Sequence, residues 1–149
     1  MQNTPSLRPE VTREMAGDLL TAEPVEREVF GEERVGRGFF ESCITARRFK
    51  LQKEQCEYRC LGFPDGMPLE TREGEPFLAV NGVQAQSALV YDLSRDFESL
   101  QEAGVSILRV SPQSTGTAEI LASFQDAREG RRRTGPPRGH CNGFWHGRP

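Results

Sequence analysis

Apolar residues recur at helical spacing early in the chain, where Val11, Met15, Leu19 and Leu20 fall on one face behind Pro9, and predict a helix over residues 9–22. Glu23-Pro24 breaks that pattern, and Val25–Phe30 reads as a weak strand. Residues 31–38, GEERVGRG, are too charged and glycine-rich to assign, and apolar character returns at Phe39 and Phe40. Residues 61–76 read as a loop or short hairpin, punctuated by Pro64-Asp65-Gly66 and Gly74. The second half is better patterned. Phe77–Val80 is a short apolar run ending in the turn signal Asn81-Gly82, and Ala88–Leu93 is a further short strand or a turn of helix. Ser94 is placed to cap a helix reaching about Ala103, with Phe97 and Leu100 facing inward and Gly104 ending it. Val105–Val110 reads as a buried strand, and Thr117–Ala127 as an amphipathic helix carrying Ile120, Leu121 and Phe124. Strand, helix, strand, helix in this order predicts an α/β fold, either a parallel sheet or part of an α/β barrel. Ligands of such folds sit where strands end in loops, which makes Ser111 and Gln113 candidates on the substrate side. Asn81 is a third, although most Asn-Gly pairs are simply turns.

Composition narrows this picture. A chain of 149 residues is long enough for one compact domain with a real core, and 36% apolar against 28% charged residues is a globular but rather polar balance. No apolar run approaches the roughly 18 residues of a membrane span, and the first residues do not read as a secretory leader, so the expected location is the cytoplasm. The net charge of −3 is unevenly spread. From Arg128 onward six arginines face Glu129 alone, a surplus of five, which leaves −8 on residues 1–127. The expected organisation is therefore a body over 1–127 and a basic Gly/Pro/Arg-rich tail over 128–149. That tail reads first as a solvated segment and second as a contact for RNA or an acidic protein. Phe144 and Trp145 within it could stack a base or a quinone, though an aromatic pair near a chain end is more often a packing anchor.

The candidate chemistry lies between Cys43 and Cys60, in CITARRFKLQKEQCEYRC. Three of the four cysteines fall in this polar segment, whereas a buried structural cysteine normally stands singly among apolar neighbours. In a reducing compartment close-set thiols are more often metal ligands or catalytic groups than disulfides, and soft thiolates favour zinc, cuprous copper or iron–sulfur clusters. Arg47, Arg48, Lys50, Lys53 and Arg59 surround them, and such positive charge favours thiolates. Spacing alone leaves zinc and a cluster level, with free thiols close behind. Hydrolytic chemistry finds little support. There is no His-Glu-x-x-His and no Gly-x-Ser-x-Gly, and the histidines, His140 and His146, both lie in the tail.

Several blocks in order, CITAR at 43–47, QCEYRC at 55–60, PDG at 64–66, LAVNGVQAQSALVYDL at 78–93, LRVSPQSTGT at 108–117 and CNGFW at 141–145, resemble the UbiV-like proteins. These belong to the collagenase-like peptidase family 32 of unassigned mechanism and act in oxygen-independent ubiquinone biosynthesis. The resemblance covers most of residues 26–146. It implies a 4Fe-4S cluster with Cys43, Cys56 and Cys60 on three ligand positions, a UbiU-like partner, and hydroxylation of a ubiquinone precursor with prephenate as hydroxyl source. No nucleic-acid partner is expected under it, although relatives hydroxylate ribosomal or transfer RNA and others are described as peptidases. Family members are about twice this length, with the fourth cluster cysteine far upstream. The chain thus reads as the C-terminal half of an α/β barrel-like fold with a loop-rich cysteine segment, its fourth ligand lost or supplied by Cys141 or a partner chain. The alternative is a zinc-stabilised module contacting RNA or protein.

Overall fold

The computed structural model describes residues 6–22, 26–131 and 139–147, and the chain divides into two units, one formed by residues 1–33 and 90–149 and the other by Arg34–Leu89. The fold is mixed α/β, and no closed barrel forms among the described residues.

The first unit is organised on strand β2 (Glu28–Glu33), whose alternating burial places Val29 and Gly31 against the core. Strand β1 (Ser6–Leu7) runs parallel to it, as does the later strand β8 (Ile107–Val110). Strand β7 (Val90–Asp92) pairs antiparallel at its end, Glu32 opposite Asp92 and Glu33 opposite Tyr91. Strand β9 (His140–Cys141) adds to β7 in parallel, so part of the expected tail is a strand of this sheet. Helix α1 (Arg13–Ala22) begins later than the apolar spacing predicts, because the Thr12 hydroxyl accepts the Met15 amide and caps it there. Its buried position is Ala16, and the expected apolar face is half exposed at Met15 and Leu19; the Leu20 side chain lies outside the described residues. Helix α3 (Phe97–Glu102) also starts late, since Ser94 sits in a turn in which its amide donates to Asp92 rather than capping the helix. Leu100 is buried as expected. Helix α4 (Thr117–Arg128) buries Phe124, whose ring occupies the space a side chain at position 31 would need: a Cβ there would lie 2.9 Å from it. The strand before it, β8, is only half-buried rather than fully buried.

Trp145 anchors the C-terminal segment. It is buried, its indole N–H donates to the Ser99 hydroxyl at 2.7 Å, and its carbonyl accepts the Arg13 amide at 3.0 Å. Gly143 makes this docking possible, with φ +56° and a Cβ position only 2.8 Å from the Tyr91 ring.

The second unit is an antiparallel sheet of β3 (Gly36–Phe39), β6 (Gln84–Ser87), β5 (Pro76–Asn81) and β4 (Met67–Glu70), in that order, with helix α2 (Ile44–Arg48). The unassigned stretch 31–38 thus supplies the end of β2 and most of β3. The hairpin expected in 61–76 is β4–β5, and Asn81-Gly82 opens the turn of the next, β5–β6. The strand ends of the unit close on each other: the Ser87 amide donates to the Val35 carbonyl at 2.8 Å, and the Val35 amide donates to the Ser87 hydroxyl at 3.0 Å.

Candidate functional site

The cysteine arc lies wholly in the second unit. Cys43 is the N-cap of α2, where its sulfur accepts the Ala46 amide at 3.4 Å. The helix is fixed to the β5–β6 turn by the Ile44 amide donating to the Gly82 carbonyl, and by the buried Thr45 hydroxyl accepting the Gly82 amide. Cys56 closes a 3₁₀ turn over Lys53–Gln55, and Cys60 lies in a second over Arg59–Gly62. Phe49 stacks on Phe63 at 5.9 Å, with the Arg59 guanidinium over the Phe49 ring, so the loop carrying both cysteines is pinned at its base. Inside it Lys50, Glu57 and Tyr58 take left-handed backbone conformations that non-glycine residues adopt at a cost.

All the cysteines are free thiols of intermediate exposure, which is the state ligand donors require. The chemistry of Cys43, Cys56 and Cys60 suits a soft metal, and the side chains of Arg47, Arg48 and Arg59 beside them are exposed cations. The geometry of the lone chain is not that of a closed site: among the described residues no group of three or more Cys, His, Asp or Glu is placed to hold a metal ion. Three thiols would also leave one corner of a 4Fe-4S cubane without a protein ligand.

The other predicted residues are positioned structurally. The Asn81 side-chain amide donates to the Pro64 carbonyl and ties the preceding loop to β5. The Ser111 amide donates to the Glu32 carbonyl, extending the β2–β8 ladder, while Thr117 exchanges hydrogen bonds with the backbone of Gln113 through its hydroxyl and fixes the entry to α4. Asn81 belongs to the second unit, Ser111 and Gln113 to the first. Cys141 is opposite Tyr91 on β9, in the first unit. Arg131 is held by Asp126 and Glu129; Arg132 and Arg133 lie outside the described residues.

Sequence reasoning missed a row of ionisable side chains across three neighbouring strands of the first unit. Glu32 on β2 stands opposite Asp92 on β7, and His140 on β9 approaches Asp92 with Nδ1 3.1 Å from the carboxylate. These groups border a cavity of about 840 Å³ whose walls come from α3 and α4. Glu32 is 4% exposed and makes no side-chain hydrogen bond or ion pair among the described residues. Its carboxyl is pushed up to about 7, first by burial and then by the neighbouring Asp92. The signal in the sequence was a charged residue inside an apolar strand, Asp92 between Tyr91 and Leu93, together with a charged stretch too polar to be read as a strand. A search of family models finds no match to this chain, and no solved structure matches it.

Proposed function

We propose that the chain is the iron–sulfur subunit of an oxygen-independent hydroxylation in ubiquinone biosynthesis, acting in the cytoplasm with a UbiU-like partner, on a fold that is the C-terminal half of a barrel-like domain. The observation that carries this reading is the arc itself: three free, half-exposed thiols on adjoining turns of one small unit, in the order and spacing of the UbiV-like proteins. A bound cluster would supply one-electron redox chemistry. The chain's own contribution is to present thiolates, to surround them with positive charge, and to fix the ends of the loop through α2 and the Phe49–Phe63 stack. A cluster held by Cys43, Cys56 and Cys60 would take its fourth ligand from Cys141 or from a partner chain. No helix among the described residues is long and apolar enough to cross a membrane.

The test is iron and acid-labile sulfide content after purification without oxygen, alone and with a UbiU-like partner, beside a variant carrying Cys56→Ser and Cys60→Ser. Iron and sulfide in near-equal amounts with the partner, weak or absent in the lone chain and absent from the variant, is the expected result. Zinc without sulfide would replace this reading with a zinc-stabilised binding module.

A further inference from the structure

We propose that the cavity bordered by Glu32 is a binding site for a small organic cation, a protonated amine that donates hydrogen bonds to Glu32 and Asp92. This goes beyond the cluster reading and is independent of it. A directly opposed pair of carboxylates on neighbouring strands repels, and a sheet has no structural use for it. Asp92 is already satisfied, one oxygen by the Ser94 amide at 2.8 Å and the other by His140. Glu32 is not: it is buried, lines the cavity and makes no side-chain hydrogen bond or ion pair among the described residues, so none of them offsets its desolvation and a donor in the cavity would.

Charge chooses the kind of donor. Among the described residues that line the cavity, Glu98 and Glu119 equal Arg95 and Arg128 in number, and Arg131 is paired with Asp126 and Glu129, which leaves Glu32 beside the Asp92–His140 pair as the acidic end of the cavity. Among the described residues these groups do not form a set that could hold a metal ion. An ammonium group, with three N–H donors and no need of a ligand sphere, fits a pair of carboxyls on one side, and Phe97, Ile120 and Ala127 offer apolar wall for its carbon chain.

The experiment is calorimetric titration of the full 149-residue chain with putrescine, with 1,4-butanediol as its uncharged counterpart and with Mg²⁺. Putrescine is expected to saturate at pH 8 and to bind about tenfold more weakly at pH 6, because a carboxyl titrating near 7 is then mostly protonated. Butanediol and Mg²⁺ are expected not to bind. Glu32→Gln, which keeps shape and removes charge, should weaken putrescine at least tenfold while melting no lower than the parent chain. The variant with Cys56→Ser and Cys60→Ser should bind it unchanged, which separates this site from the cysteine arc. Absence of saturable putrescine binding at pH 8, binding indifferent to Glu32→Gln, or uptake of Mg²⁺ in its place would each overturn the proposal.

Discussion

Ionising Glu32 in the folded chain means placing a charge in a wall that is 4% exposed, with Asp92 across the strand from it. The carboxyl is therefore raised from 4.5 to about 7, by burial first and by Asp92 second, and the folded chain holds this proton more tightly than the unfolded chain. The stabilisation is fully present below pH 4.5, falls as pH rises through the folded value, and is gone above it. At about 1.4 kcal/mol per pKa unit the loss is on the order of 3 kcal/mol. Denaturant unfolding of Glu32→Gln against the parent chain checks this: the difference between them should be small at pH 4 and favour the variant by that order at pH 8. A difference independent of pH would mean that Glu32 is not the buried acid described here. The row of Glu32, Asp92 and His140 was hidden in the sequence because nothing local brings residues 32, 92 and 140 together; only the pairing of β2, β7 and β9 does. The thiols were legible for the opposite reason, since they lie within one short segment.

Elements with a clear apolar period or a turn signal are the readable ones. Helix α4 and the β5–β6 hairpin appear where apolar spacing and Asn81-Gly82 put them. Helices α1 and α3 were foreseen, but their starts were set by hydrogen bonds that spacing does not carry, Thr12 to Met15 in one and the Asp92–Ser94 turn before the other. The strands in 31–38 were missed because their glycines and charges suit an edge and a cavity wall rather than a core. In the segment 139–147 the aromatic pair predicts a packing anchor, which Trp145 is, while nothing local predicts the pairing of β9 with β7. Trp145 is 1% exposed and bonded to Ser99, so Trp145→Ala should cost about 3–5 kcal/mol of stability. Trp145→Phe keeps most of the burial and should cost about 1 kcal/mol for the lost indole hydrogen bond. Urea unfolding followed by circular dichroism distinguishes the two, and a loss below about 1 kcal/mol in Trp145→Ala would show that the segment does not hold the first unit together.

At the scale of the molecule, Arg34–Leu89 leaves the first unit after Glu33 and returns at Val90, one residue before the partner of Glu33. The cysteine-bearing unit is thus inserted at the tip of the β2–β7 pair. Replacing residues 34–89 by a two-residue Asn-Gly turn should leave the remaining chain folded, with Trp145 fluorescence as blue-shifted as in the parent and no metal uptake. Red-shifted emission and loss of secondary structure would show that the first unit needs the insert. The same arrangement sets an order of events in folding. Joining Glu33 to Tyr91 while the insert is disordered closes a long loop, and once Val35 and Ser87 have met the loop is only a few residues long. By the logarithmic scaling of loop-closure entropy this difference is worth about 2 kcal/mol. The inserted hairpins, built from contacts close in sequence, therefore fold first and act as the splint on which β2 and β7 meet. A chain emerging from the ribosome would have its thiols in place before the sheet that holds Glu32 exists.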